Sequence, residues 1–257
     1  MNLIEEEYEE SKQFEFELIE GTDLVKLNRR NVALVEAMIR NDSAYLKAAD
    51  KTAGKKGKYK GSTAYWLNKL KQVVINGVQC SKKEYNEIIE NSVYAVNRDN
   101  RTHVNADRVG IKEISKRIAD LTIDELKKSL LDLSGFELIK KIEEKTNPNL
   151  TGYKARENYS FATKWCHYAC FYFFEEKAEQ DAYSKYDNIV GKIIMKYISY
   201  YGIKHNGKKI QKKHLQNYEV FYPVVGEIIN EASKKEGKKI SRNGFDHLLW
   251  YYYKGRI

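Results

Sequence analysis

Apolar residues recur at intervals of three and four along most of this chain, which is the spacing of amphipathic α-helices. From Leu24 to Arg40, the apolar side chains that share one helical face are Leu27, Val32, Leu34, Val35, Met38 and Ile39. The same periodicity predicts further helices at 63–75, 81–97, 110–119, 122–132, 134–145, 158–177, 187–202, 217–236 and 241–253. With only 2 prolines among 257 residues, the pattern predicts a mainly α-helical fold.

Polar residues mark where several of these helices begin. Ser81, Thr122 and Ser134 each stand before an apolar run, as N-cap residues do, and Glu125 completes a capping box with Thr122. Breaks in the pattern fall at the polar joint 98–109 and at 145–153, where Asn-Pro and Thr-Gly occur together. We therefore expect two interlocked helical subdomains rather than two independent domains joined by a linker.

Charge is distributed unevenly along the chain. The net charge is +9, but residues 1–20 carry −7 and the rest of the chain +16. Residues 47–62 are rich in lysine and glycine and predict a basic loop. A basic body predicts a polyanionic partner, nucleic acid first, although the solvated surface of a lysine-rich protein would look the same.

Cysteine use and hydropathy bear on the compartment. Cys80, Cys166 and Cys170 form no disulfide pattern, and the last two lie four residues apart among aromatics, which predicts buried reduced thiols. No apolar run approaches the ~20 residues that span a bilayer. We expect a cytoplasmic protein with no membrane partner. His205 and His214 lie among lysines, which repel a metal cation, so we expect no metal site.

One lysine interrupts the most aromatic stretch, SFATKWCHYACFYFF at 160–174, and one aspartate opens the next apolar run. Burial disfavours the ammonium form, so Lys164 in this setting is a candidate nucleophilic amine. Asp187 begins the following helix and is a candidate proton acceptor or stabiliser of positive charge. Two simpler readings stay open: Lys164 snorkels to water, and Asp187 is only an N-cap.

The segment NYSFATKWCHY followed by YSKYDNIVGKI resembles the lysine/aspartate segment of the helix-hairpin-helix DNA glycosylase superfamily. The similarity is to its 8-oxoguanine-glycosylase-like branch and covers roughly residues 145–255, including FDHLLWYYYKG near the end. It implies an enzyme that flips a base out of duplex DNA and excises it. Lys164 would attack the anomeric carbon and then support AP-lyase elimination, while Asp187 would activate the amine and stabilise charge on the sugar.

The resemblance also implies which other residues line the site. The implied base pocket consists of Trp165, His167, Tyr186, Asp246, His247 and Trp250. The family's glycine-rich hairpin is represented here by a segment with one glycine, so Asn158 or Ser160 would bind phosphate instead. The expected set of DNA-backbone contacts is Lys55, Lys56, Lys58, Lys60, Arg156, Asn158, Ser160 and Lys192. The four-cysteine motif is absent, so we expect no iron–sulfur cluster and no cofactor.

These inferences combine into one hypothesis. Residues 1–20 form an acidic arm, 21–145 an N-terminal helical subdomain with the basic loop 47–62, and 146–257 a catalytic helical subdomain, with a DNA-binding cleft between the subdomains. The protein acts as a monomer on double-stranded DNA, in base-excision repair or in defence against phage DNA with modified bases. The alternative is a helical nucleic-acid-binding protein without catalysis, which explains the charge and the 20 tyrosines but not Lys164 and Asp187.

Overall fold

The structure is a computed structural model that describes residues 15–41, 61–104, 109–146 and 158–253. Helices account for most of these described residues. The mainly helical prediction is confirmed. The predicted helices are present close to their expected bounds, with two exceptions. The helix predicted from Leu24 begins at Arg29, because Val25 forms a β-bridge with Leu18, and the segment 158–177 divides into a helix ending at Phe173 and a short one beginning at Lys177. Over these ranges, no helix combines the length and apolar character needed to cross a bilayer.

The chain forms two compact units, and one of them is discontinuous in sequence. The terminal unit comprises Met1–Leu46 and Asp187–Ile257, and the central unit comprises Lys47–Tyr186. This division differs from the predicted sequential boundaries after residues 20 and 145. The physical reason is that the segment after residue 14 packs with the last helices of the chain rather than with the helices that follow it. Residues 1–14 of the predicted arm lie outside the described residues.

The central unit contains seven described helices. They are α2 (Thr63–Val74), α3 (Lys82–Asp99), α4 (Val109–Ala119), α5 (Ile123–Leu131), α6 (Glu137–Glu143), α7 (Tyr159–Phe173) and α8 (Lys177–Gln180). Helix α7 packs against α2, α3, α5, α6 and α8, which is five of the six other described helices of its unit. The core of the unit therefore forms around α7.

Local capping explains several helix starts in this unit. Ser81 and Thr122 each form a capping box with the glutamate three residues later, as the sequence predicts for Thr122. Ser134 is not an N-cap, and that prediction is wrong. Its hydroxyl donates to the Asp132 carboxylate, and α6 begins later, after Phe136, whose φ of 53° lies in the left-handed region.

The terminal unit contains four described α-helices, one 3₁₀ helix and one small hairpin. They are α1 (Arg29–Asn41), α9 (Asn188–Tyr201), the strands β1 (Lys204–His205) and β2 (Lys208–Lys209), a 3₁₀ helix (Lys212–Gln216), α10 (Tyr218–Glu236) and α11 (Arg242–Tyr253). Helix α11 packs against α1, α9 and α10. Asn206 and Gly207 both have positive φ and form the turn of this hairpin.

Two buried tyrosines hold the start of the chain against its end. The Tyr197 hydroxyl donates to the Val25 carbonyl oxygen at 2.7 Å, and the Val25 amide donates to the Tyr253 hydroxyl at 3.2 Å. The two hydroxyls are 3.2 Å apart, and Val25 is fully buried. Burial is also the first cause that raises the pKa of both phenols. These bonds make the terminal unit one body despite its two sequence segments.

We expect Tyr197→Phe to destabilise the protein by about 1–3 kcal/mol, because the buried Val25 carbonyl loses its donor. Urea denaturation followed by circular dichroism measures the change. Tyr200→Phe is the matched control, since Tyr200 is 38% exposed on the same helix, and its effect should stay within about 0.5 kcal/mol. Equal effects from the two substitutions would contradict a role for the buried hydroxyl.

Candidate active site

The burial of α7 determines which of its residues a ligand can reach. Ten of its fifteen residues are buried, including Phe161, Trp165, Cys166 and Phe173. Such a helix is apolar on nearly every side, as expected of one enclosed by neighbours. The accessible part is narrow, and it contains the lysine that interrupts the aromatic run.

Four residues spaced by four form most of this accessible strip, here called the α7 ridge: Ser160, Lys164, Tyr168 and Tyr172. All four are half-buried. Phe171, seven residues after Lys164, lies beside them and is 38% exposed. Residues at i and i+4 are neighbours on a helix, so Lys164 lies between Ser160 and Tyr168. The aromatic residues Phe161 and Trp165 of the same helix are buried in the core, whereas Tyr168 and Tyr172 lie on the ridge with Lys164.

Tyr168 is held on the ridge by two contacts. Its hydroxyl donates to Asn100 Oδ1 at 3.0 Å, which fixes the ring relative to the end of α3. The Lys185 ammonium lies over the ring, with Nζ 5.1 Å from the centroid. A cation over an aromatic face is an attractive arrangement. The tyrosine next to Lys164 on the ridge is therefore held in place by Asn100 and Lys185.

Lys185 is a second amine that sequence reasoning missed. It is 7% exposed and is the one lysine of the buried class among the described residues. The segment that carries it, 182–186, is buried throughout. Nothing in the local pattern YSKYD marks that burial, which comes from tertiary packing. The central unit therefore presents two amines near Tyr168, one on the ridge and one beneath it.

Three predicted pocket residues of the central unit lie in its core. Trp165 is fully buried and donates from Nε1 to the Ser92 hydroxyl at 3.3 Å. His167 is 1% exposed, and its Nδ1 lies 2.8 Å from the Tyr183 carbonyl oxygen. Because a carbonyl oxygen only accepts, Nδ1 carries a proton. The ring of Tyr186 packs on Tyr159 at 4.9 Å between centroids. Their role in reading a base stays a prediction.

Thr163 joins the segment before Asp187 to α7. Its buried hydroxyl accepts a hydrogen bond from the Tyr186 amide at 3.0 Å and donates to the Ser160 carbonyl at 3.1 Å. Tyr186 is the last residue of the central unit. The hydrogen bond between the Tyr186 amide and the Thr163 hydroxyl thus fixes the position at which the chain leaves the central unit. Its acceptor is the residue directly before Lys164.

Asp187 begins the second segment of the terminal unit and is the N-cap of α9. Its Oδ1 accepts hydrogen bonds from the amides of Ile189 and Val190, at 2.9 and 2.8 Å. The predicted N-cap is confirmed. The two backbone donors fix the orientation of the Asp187 carboxylate. A fixed orientation is required both of an N-cap and of a carboxylate that stabilises positive charge. The geometry is compatible with both roles.

The remaining predicted residues of the terminal unit are on two helices. Asp246, His247 and Trp250 are half-buried, and Trp250 neighbours both of the others on α11, since it lies four residues after Asp246 and three after His247. Lys192 is exposed on α9. The contact of these residues with a base or with DNA stays a prediction.

The predicted phosphate contacts are only partly within the described residues. Lys55, Lys56, Lys58, Lys60 and Arg156 lie outside them. Asn158 precedes α7, but its side chain does not cap the helix and instead donates to the Glu144 carbonyl at 3.1 Å. Ser160 is half-buried at the start of the ridge. Of the two residues suggested to anchor phosphate at this end of α7, Ser160 is the more accessible.

A surface depression of about 420 Å³ lies elsewhere in the central unit. It is lined by residues of α5, α6 and their flanks: Leu121, Ser129, Glu137, Leu138, Lys140, Lys141 and Glu144. None of the predicted site residues is among them. The chemistry suggested by the sequence therefore centres on the α7 ridge and not on this depression.

Comparison with known proteins finds no relative of this chain. No family model, no curated protein and no solved structure matches the chain.

The cysteines agree with the predicted reduced thiols. Cys166 and Cys170 are buried and free, and Cys80 is half-buried and free. Burial raises the pKa of the Cys166 and Cys170 thiols, and the Cys170 thiol also donates weakly to the Leu130 carbonyl. Because thiolate is the reactive form, neither thiol of α7 is a candidate nucleophile.

We expect one thiol per chain to react with Ellman's reagent at pH 8 in the native protein, and three after unfolding in guanidinium chloride. Burial and the raised pKa protect Cys166 and Cys170, which leaves Cys80 to react. Cys80→Ser is the control and should reduce the native count to zero. Reaction of two or more thiols in the native state would contradict the burial of α7.

Proposed function

We propose that the protein is a DNA glycosylase that excises a damaged or modified base, with Lys164 as nucleophile and Asp187 as the activating carboxylate. The observation that carries the proposal is the position of Lys164, a half-buried amine on the accessible ridge of a helix that is otherwise enclosed. A purely structural lysine would be expected on a polar face, and α7 has very little polar face.

The ridge suits an extruded nucleotide. Tyr168 and Tyr172 follow Lys164 at intervals of four, and every base has a face on which an aromatic ring can stack. The Tyr168 ring is already ordered by Asn100 and Lys185, so stacking on it costs little conformational entropy. Ser160, on the other side of Lys164, offers a hydroxyl to the sugar or phosphate. This arrangement supports a binding site for one flipped nucleotide.

The proposed reaction begins when the neutral Lys164 amine attacks C1′ of the flipped nucleotide. A bond forms between Nζ and C1′, and the glycosidic bond breaks, so the base leaves with the bonding electrons and takes up a proton. The Asp187 carboxylate stabilises the positive charge that develops on the sugar. Opening of the C1′–O4′ bond then yields a Schiff base between Lys164 and C1′.

Lyase chemistry follows from the same intermediate. Loss of a proton from C2′ of the Schiff base permits elimination of the 3′ phosphate, and water then hydrolyses the imine and releases Lys164. Neither step requires a cofactor. An enzyme that stops after base release would use Lys164 only transiently, so base release and strand cleavage are separate readouts.

A helical nucleic-acid-binding protein without catalysis is the second candidate. The net charge of +16 after residue 20 favours it. In that case the α7 ridge would bind a nucleotide, and Asp187 would serve only as an N-cap. Binding without covalent chemistry distinguishes this candidate from the glycosylase.

We expect sodium borohydride to trap a covalent adduct between the protein and a duplex with an abasic site, because hydride reduces the Schiff base. Lys164→Gln should abolish the adduct. Lys185→Gln should retain it, which tests the second amine near Tyr168. Lys127→Gln, a change of an exposed lysine on α5, is the control for loss of charge.

Base release is measured in parallel on duplexes with 8-oxoguanine and with bulky modified bases of the kind found in phage DNA. Asp187→Asn should slow release by on the order of 10²–10⁴-fold, the usual size of such a carboxylate's effect. Lack of both trapping and release across the panel, with duplex binding intact, would contradict the enzyme and favour the non-catalytic candidate.

A further inference from the structure

We propose that the hairpin and 3₁₀ helix of the terminal unit form a binding surface for the phosphate backbone of duplex DNA. The surface, here called the basic hairpin, consists of Lys204, Lys208, Lys209, Lys212 and Lys213. The inference rests on the proposed function only in taking duplex DNA as the polyanion. It concerns binding and requires no chemistry at Lys164.

The charge of this segment is of one sign. From residue 204 to residue 218 the sequence contains five lysines and two histidines but no aspartate or glutamate. Within the described part of the chain, none of the five lysines forms an ion pair. Lysines nearby in the same unit do, since Lys196 pairs with Asp23 and Lys234 pairs with Glu231. The basic hairpin therefore carries uncompensated positive charge.

The strand register sets two of these charges against each other. Lys204 is directly opposite Lys209, and His205 is opposite Lys208. Directly opposed side chains on a two-stranded ladder lie close together, and like charges in that arrangement are destabilising. A two-stranded hairpin is only marginally stable by itself. An exposed surface that binds nothing gains no stability from opposing Lys204 and Lys209. An anion bound next to both ammonium groups would reduce the repulsion between them.

The hairpin is nevertheless well anchored. Ile203 and Ile210, which flank its two strands, are 5% and 2% exposed, and Leu215 of the 3₁₀ helix is fully buried. Asn206 and Gly207 supply the two positive φ angles that a tight two-residue turn requires. The lysines are consequently held on a fixed frame, with Lys204 and Lys209 side by side on one face of the ladder and Lys208 on the other. That is a geometry suited to successive phosphates, and a flexible lysine-rich loop would not provide it.

Lysine is a flexible point charge, which fits the sequence-independent contacts made to phosphate rather than those made to base edges. Each phosphate neutralised by a lysine releases condensed counterions, so the logarithm of the binding constant falls with the logarithm of the salt concentration by about 0.9 per contact. This slope is a direct count of contacts. It does not depend on whether the bound duplex is a substrate.

The test is the salt dependence of binding to an unmodified duplex, measured by fluorescence anisotropy between 50 and 200 mM NaCl. Lys204→Gln with Lys209→Gln, which removes the pair on one face of the ladder, should reduce the slope by about 0.9 for each lysine, on duplexes of different sequence alike. Lys238→Gln with Lys239→Gln is the matched control, because both are exposed lysines of the same unit outside the hairpin. That control should keep the wild-type slope.

An unchanged slope in the hairpin variant would overturn the proposal, and so would an equal reduction in the control, which would mean diffuse charge without a discrete site. Lys164→Gln should retain the full slope even if it abolishes base excision. Failure of the basic hairpin and failure of the glycosylase are therefore distinguishable in the same set of variants.

A second variant tests the strain between the strands. Lys209→Glu replaces the like-charged pair by an opposite-charged one, and without DNA it should raise the thermal midpoint by about 1–3 °C. The same change should weaken duplex binding more than Lys209→Gln does. A lower thermal midpoint together with undiminished duplex binding would contradict the claim that Lys209 binds phosphate at a cost in stability.

Discussion

The enclosure of α7 is the constraint on which the functional account depends. Five helices pack against it, and ten of its fifteen residues are buried. A helix enclosed in this way can present a side chain to a ligand only along one strip, and Lys164 is on that strip with Tyr168 and Tyr172. The thiols of Cys166 and Cys170 are unreactive for the same reason. The packing of the core thus selects which side chain is available for chemistry.

Sequence reasoning succeeded where the determining interactions are local. Thr122 and Asp187 bond to backbone amides within three residues, so their roles as caps could be predicted. It failed at Ser134, because the left-handed backbone at Phe136 delays the helix. The unit boundaries could not be predicted, since Val25 is held by hydroxyls 172 and 228 residues away. Lys185 was missed because its burial depends on distant contacts.

The molecule separates two kinds of basic residue. Lys164 lies on the accessible α7 ridge, and the buried Lys185 lies over the Tyr168 ring, so in the proposal a single amine acts on one nucleotide there. The lysines of the basic hairpin lie on an exposed frame, where several charges can follow a phosphate backbone. In the proposed function the first kind would supply reactivity and the second would supply affinity, so each could be removed without the other. A glycosylase needs both, whereas a binding protein needs only the second.

The most direct measurement is to locate the trapped bond. The protein is reduced with borohydride in the presence of an abasic duplex, digested with trypsin after removal of the DNA, and sequenced by mass spectrometry. The account predicts a sugar remnant on Lys164 and a missed cleavage after it. A remnant on Lys185 or another amine would contradict the assignment of the nucleophile, and the absence of any modified peptide would contradict a Schiff base in the reaction.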